Sequence, residues 1–146
     1  MPDIIGIDHI YITVSDLTRS EQYYDMLMPI LGFRKKHFLL GNEPHIQYYN
    51  RHFGYVLRPA TVISPHNPYA PGLHHFCLRV ESKEDIREIA TQLKEQNISL
   101  TGPKLYTDYA PDYHAIFITD PDGIQLEITN YRNERRQRHN DWDKPE

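Results

Sequence analysis

A single cysteine, Cys77, and a single tryptophan, Trp142, stand in a chain of 146 residues. One cysteine closes no intrachain disulfide and builds no thiolate metal cluster, so any metal must be held by histidine and carboxylate. No apolar stretch nears the ~20 residues that a membrane helix needs, and a bilayer span is excluded. A basic excess is absent as well. With 16 Lys and Arg against 20 Asp and Glu the net charge is −4, whereas nucleic-acid binding calls for a concentrated basic surface. The expected partner is a small molecule, with neither nucleic acid nor membrane. The N-terminal Met1-Pro2-Asp3-Ile4-Ile5-Gly6 lacks the basic and apolar regions of a secretory signal, which points to a cytoplasmic protein. What the chain has in unusual number is 9 His, 11 Tyr and 11 Pro. These supply metal ligands, hydroxyls and turns.

The chain repeats itself, and a repeat constrains architecture more firmly than local propensity. Residues 8–14 read Asp-His-Ile-Tyr-Ile-Thr-Val and residues 74–80 read His-His-Phe-Cys-Leu-Arg-Val. Both alternate with period two. Ile10, Ile12 and Val14 face one side and His9, Tyr11 and Thr13 the other; Phe76, Leu78 and Val80 stand opposite His75, Cys77 and Arg79. Each stretch predicts a half-buried strand opening with an outward-facing histidine.

A helix signal follows each strand. In the first, Asp16 or Thr18 caps, Glu21 completes a box with Thr18, Pro29 ends or kinks the helix and Gly32 closes it. In the second, Ser82 caps with Asp85 behind it, and Ile86, Ile89, Ala90 and Leu93 fall at i, i+3, i+4 and i+7. Three shorter strands are expected after each helix: 33–40, 45–49 and 55–58, then 98–101, 113–119 and 124–129. Asp120-Pro121-Asp122-Gly123 predicts a tight turn between the last two. The expected fold is α+β, a single domain over 1–146 made of two tandem βαβββ modules. Module one takes 4–58, a Pro-rich connector 59–72, module two 73–130, and a charged tail 131–146 that lacks periodicity and ends in mobile residues.

On the last strand Gln125, Glu127 and Thr129 alternate with Ile124, Leu126 and Ile128, placing the Glu127 carboxylate on the polar face. Two imidazoles and a carboxylate, His9, His75 and Glu127, make a divalent-metal triad that leaves positions open for water or substrate. His74 is the rival to His75, but it shares a face with Phe76 and Leu78. Tyr11, Thr13, Arg79 and Gln125 share the ligand-bearing face and are candidate substrate contacts.

The run from Asp8 to Leu17, with Arg19-Ser20, Tyr23-Tyr24 and Leu31-Gly32-Phe33, resembles the opening of vicinal oxygen chelate proteins, the glyoxalase/bleomycin-resistance/dioxygenase superfamily. Gly72-Leu73-His74-His75-Phe76 and the stretch Asp120 to Glu127 resemble that superfamily's second-module landmarks, and the likeness spans about residues 4–130. It implies a curved sheet around a cleft, commonly in a homodimer, and metal ligands at His9, His75 and Glu127. The ion it implies is Zn, Mn, Ni, Co or Fe. It implies a glyoxalase-like lyase or isomerase that chelates vicinal oxygens of a small substrate and stabilises an enolate or oxyanion. Two departures bear on the chemistry. Glyoxalase I enzymes carry a fourth ligand, usually Glu, on the last strand of module one, where this chain reads Tyr55-Val56-Leu57-Arg58. Extradiol dioxygenases and fosfomycin-resistance transferases, with three ligands, typically have a Tyr ten residues before the metal Glu; this chain has Phe117. Tyr113, Tyr109 and His114 are the candidate proton donors, with Tyr113 and His114 carried as catalytic candidates. The alternatives are a non-heme iron extradiol-type dioxygenase and a non-catalytic bleomycin-resistance-like protein that sequesters a small molecule.

Overall fold

The computed structural model describes residues 1–145. Its elements are β1 (His9–Val14), α1 (Leu17–Ile30), β2 (Arg34–Leu40), β3 (Glu43–Tyr49), β4 (Gly54–Pro59), β5 (Phe76–Val80), α2 (Lys83–Glu95), β6 (Thr101–Leu105), β7 (His114–Thr119), β8 (Gln125–Asn130) and α3 (Asn133–Asn140). The strands form two four-stranded sheets, ordered β1-β4-β3-β2 and β5-β8-β7-β6. In each, the first strand runs parallel to the last and the remaining pairs are antiparallel. The α+β arrangement of two βαβββ modules expected from the repeat is the one adopted. By internal contacts the chain divides into two compact units, Met1–His66 with Asp120–Gly123, and Asn67–Thr119 with the stretch from Ile124 onward.

In the first unit the alternation of β1 delivers Ile12 and Val14 to the buried side, where they join Leu57, Ile46, Tyr48 and Tyr55 beneath Tyr24, Leu27 and Met28 of α1. Of the two expected caps, Asp16 is the one used: its carboxylate accepts from the Arg19 N–H at 3.0 Å. Thr18 lies inside the helix and its box with Glu21 does not form, because Glu21 is taken by Lys35 at 2.6 Å and His37 at 2.7 Å. Pro29 does not stop the helix, which runs one residue further. Closure falls to Gly32, at φ +84°, with the Phe33 N–H returning to the Met28 carbonyl at 3.0 Å. The turn Asp120–Gly123 is fastened to this unit. Asp120 accepts from the Tyr24 hydroxyl at 2.7 Å, and Asp122 accepts from the Ser15 N–H at 3.1 Å and from the Ser15 hydroxyl.

In the second unit Ser82 and Asp85 form the expected capping box, and Ile86, Ile89, Ala90 and Leu93 are buried. Two strand expectations fail here. Ile98 does not open a strand: Asn97 takes φ +57°, the Ile98 N–H bonds the Leu93 carbonyl at 2.9 Å, and the side chain closes the helix end. The strand begins instead at Thr101 and runs through Gly102-Pro103. It is tolerated because β6 is an edge strand whose register slips between Thr101 and Lys104. Only glycine fits at 102, where φ is +96° and a Cβ would meet the Ala115 carbonyl at 2.7 Å. The second strand-level difference is that β5 starts at Phe76, so His75 lies just ahead of it. The charged tail, expected without an element, contains α3. That helix is polar all round and is held from outside, by Arg136 on Glu81 and by the Asn133 N–H on Asp112 at 3.1 Å. The mobility expected of the last residues includes Glu146, which lies outside the described residues. Among the described residues no helix is long and apolar enough to cross a membrane.

Candidate functional site

Alternation along β8 sends Leu126 and Ile128 into the core under α2 and turns Gln125, Glu127 and Thr129 to the other face. Across the ladder from Glu127 stand Cys77 on β5 and Phe117 on β7. Glu127 is only 4% exposed. One of its oxygens, Oε1, lies 3.3 Å from His75 Nε2; the other, Oε2, accepts from the Tyr113 hydroxyl. The His75 ring is set from behind, with Nδ1 2.8 Å from His74 Nδ1, so Nε2 is the nitrogen turned to the carboxylate. His74 itself meets the edge of the Tyr69 ring at 5.6 Å.

Burial first, and the Glu127 carboxylate next, push the Tyr113 phenol well above its ordinary range, so it remains a hydrogen-bond donor. Cys77 is exposed as a residue, yet desolvation around its sulfur, and the same carboxylate next, push the thiol up to about 12, which makes it a poor nucleophile. Arg132, 6% exposed, sets its guanidinium 4.3 Å from the centre of the Tyr113 ring. Its Nη1 donates to Thr129 Oγ1 and to the Asn130 carbonyl, both at 3.4 Å, and its Nε to Glu134 at 3.2 Å.

The chemistry of this donor set fits a divalent cation. A buried carboxylate requires compensation, and among the described residues no lysine or arginine forms an ion pair with Glu127; its one ionic neighbour is a histidine. An imidazole nitrogen beside a carboxylate oxygen is the mixed N/O set that such ions accept. Among the described residues, no group of three or more His, Cys, Asp or Glu is gathered as a metal cluster.

In the first unit His9 opens β1, its Nδ1 2.7 Å from the Asp8 carboxylate, which leaves Nε2 as the free nitrogen. Its register partner is Gly54, where an added Cβ would lie 3.0 Å from Gln47 Nε2 and 3.6 Å from His9 Cβ. Tyr11 presents its ring edge-on to His9 at 5.7 Å and to His45 at 5.6 Å, and Thr13 is exposed. The two ladders locate the position that corresponds to Glu127. Cys77 pairs with Glu127 in one sheet and Tyr11 pairs with Val56 in the other, and Cys77 and Tyr11 are equivalent in the repeat. The first module therefore carries a buried valine where the second carries its carboxylate.

Of the candidate proton donors, Tyr113 reaches Glu127. Tyr109 stacks on Tyr106 and meets the Tyr113 edge at 5.1 Å. His114 opens β7 in phase with Ile116 and Ile118, on the face opposite Glu127, and its N–H bonds Asn130. Gln125 shares the Glu127 face, and Arg79 covers the Tyr131 ring at 3.9 Å. Sequence reasoning missed Arg132, whose signal is no different from that of Arg135, Arg136 and Arg138 beside it. It also missed Asp8 and His74 as the groups that orient the two histidines; each directly precedes its histidine, which is the signal that was there to find.

Two βαβββ modules, each folded into a mixed four-stranded sheet, define a class of α+β proteins. Residues 6–128 match the glyoxalase/bleomycin resistance protein/dioxygenase superfamily, and the chain belongs to it. It is 27% identical over 129 residues to virulence protein STM3117 of Salmonella typhimurium, covering 86% of this chain and 83% of that one. The crystal structure of that protein superposes with a TM-score of 0.62 at 25% identity, covering 90% of this chain and all of the other. A glyoxalase family protein from Enterococcus faecalis gives 0.65 at 25% identity, over 86% of this chain and 97% of that one. A glyoxylase/bleomycin resistance protein/dioxygenase domain from Frankia sp. EAN1pec gives 0.72 at 21% identity, over 89% and 100%, and shows the fold alone.

Proposed function

We propose that the protein is a divalent-metal-dependent enzyme of the glyoxalase-like lyase or isomerase type, acting on a small substrate with vicinal oxygens. The observation that carries this reading is the buried Glu127 carboxylate facing His75 Nε2 at 3.3 Å without a lysine or arginine ion pair among the described residues. His75 and Glu127 would hold the ion, and His9 is the third donor, assigned from the sequence pattern. A bound divalent ion supplies Lewis-acid stabilisation of negative charge on substrate oxygens.

The chain's own residues do the rest. His74 fixes the His75 ring so that its donor nitrogen is presented. Tyr113, kept protonated, holds one oxygen of Glu127 and leaves the other for the ion. Val56 supplies no second carboxylate, so proton movement at substrate carbon cannot use the position that corresponds to Glu127 in module one. Tyr11, Thr13, Arg79 and Gln125 are the substrate-contact candidates in this reading.

Elemental analysis of untagged protein purified without chelator tests it, beside His9→Ala, His75→Ala and Glu127→Ala. Near-stoichiometric metal, lost in each variant, is expected. Wild-type protein that takes up no divalent ion on incubation would sink the enzyme. Iron together with activity that disappears when oxygen is excluded would move the assignment to a dioxygenase. A second reading, a non-catalytic protein that sequesters an aromatic ligand, is favoured by Tyr109, 62% exposed and stacked on Tyr106 at 5.6 Å. It predicts that His9→Ala keeps full ligand affinity. The family resemblance also assigns a homodimer; sedimentation at micromolar concentration yielding only a 17.3 kDa species would remove that assignment.

A further inference from the structure

Arg132 is costly where it stands. Its side chain is 7% exposed, and among the described residues its one carboxylate partner, Glu134, is 57% exposed and touches only Nε. A buried guanidinium with so little ionic compensation costs stability unless its other contacts have a use. Two of them, to Thr129 and to the Asn130 carbonyl, hold it at the end of β8, and the third lies on the Tyr113 ring. The guanidinium lies 4.3 Å from the Tyr113 ring centre, and Nη1 reaches Thr129 Oγ1 at 3.4 Å. Thr129 Oγ1 itself donates to the His114 carbonyl at 2.8 Å, at the start of the strand that follows Tyr113. Tyr113 then donates to Glu127 Oε2, while Oε1 faces His75.

We infer that Arg132 is a positioning residue that acts through the Tyr113 hydroxyl to hold Glu127 with one oxygen committed to the phenol and the other presented beside His75. A cation over an aromatic face withdraws electron density from the ring and strengthens its hydroxyl as a donor. The same contact fixes the ring plane, and with it the direction of the O–H. The carboxylate is thereby held ready for one-oxygen coordination. This inference rests on the metal reading above and adds to it a residue that touches neither the ion nor the substrate. It also accounts for Phe117. With a phenyl ring directly across the ladder from Glu127, the hydroxyl on the carboxylate comes from the loop before β7 instead, and a loop side chain needs an anchor of its own.

Calorimetric titration with Co²⁺ alone tests the relay on wild-type protein, Tyr113→Phe, Arg132→Met, Arg132→Lys and the Tyr113→Phe/Arg132→Met double variant. Thermal melts alongside report folding. Tyr113→Phe keeps the ring and its cation contact and removes only the hydroxyl; it is expected to weaken Co²⁺ binding about 10–100-fold, the range found when groups that orient a metal ligand are lost. Arg132→Met is expected to weaken it by a similar factor. The double variant should be no weaker than the weaker single, because both changes break one chain of contacts. Arg132→Lys keeps the charge without the planar face and should recover affinity only in part; should Arg132→Met fail to fold, Arg132→Lys carries the comparison. Losses that multiply in the double variant mean that Arg132 acts on general stability, and overturn the inference. Tight wild-type binding with unchanged affinity in both singles overturns the inference alone. Wild-type protein that binds no Co²⁺ overturns the metal reading and the inference together.

Discussion

Tyr24 donates its hydroxyl to Asp120 at 2.7 Å and lies 2.8 Å from the Tyr55 hydroxyl, both tyrosines being fully enclosed. Hydrogen bonds to charged groups contribute more than neutral pairs, about 1.5–3 kcal/mol against about 1. Tyr24→Phe should therefore destabilise the protein by about 2–3 kcal/mol in urea unfolding, and Tyr55→Phe by about 1. A larger loss for Tyr55→Phe would show that the tyrosine pair, not the carboxylate contact, dominates. Single residues of this kind were the least legible in sequence. Asp120 reads there as a turn former, and nothing in Asp120-Pro121-Asp122-Gly123 says that its carboxylate reaches α1. At the candidate site the split is similar. Alternation puts Glu127 on the polar face, but it left Tyr113, Tyr109 and His114 open as donors; the expected strand 113–119 begins one residue later, and the position of Tyr113 depends on the fold of the 106–113 loop.

Between α1 and β2 the charges are arranged by element. β2 turns Lys35 and His37 toward Glu21 and Asp25 of the helix, with Lys35 at 2.6 Å from Glu21 and 2.9 Å from Asp25. Its hydrogen bond from Lys35, with His37 adding to it, lowers the Glu21 carboxyl below its usual value. A lowered folded-state value means that the unfolded chain binds the proton first on acidification. The stabilisation is thus complete above the unfolded value, about 4.3, and is lost as pH falls through the folded one. Glu21→Gln should leave the loss of stability between about pH 5 and pH 3 shallower than in wild type, at low salt. A parallel pair of stability curves over that interval would show that Glu21 contributes nothing. Elements with a strong period were readable from sequence: β1, α2 and β8 follow their hydrophobic alternation. β6 was displaced because Gly102-Pro103 is a break by propensity and an edge-strand irregularity in fact. α3 escaped because a helix that buries nothing leaves no periodic trace.

At the scale of the whole chain, the repeat made the two βαβββ modules legible, since two similar stretches must build two similar sheets. What the repeat could not convey is where the modules differ. Val56 and Glu127 occupy matching ladder positions, and one change of residue type leaves a single buried carboxylate in the pair. That asymmetry ties stability to function. Among the described residues the Glu127 charge is met by a phenol, a thiol and an imidazole, so under the proposed metal reading the empty protein should be destabilised by its own carboxylate. Co²⁺ at about 100 times its Kd should stabilise the folded state by about 2.7 kcal/mol and raise Tm by about 5–10 °C, reversibly on adding EDTA. Glu127→Gln removes the charge and keeps the shape and the acceptor for Tyr113. Its Tm without metal should equal or exceed that of the wild type, and the Co²⁺ increment should vanish. A variant that melts lower in the absence of metal would make Glu127 a structural acid whose charge the fold already satisfies. One that melts as high as wild type yet keeps the increment would place the ion elsewhere in the chain.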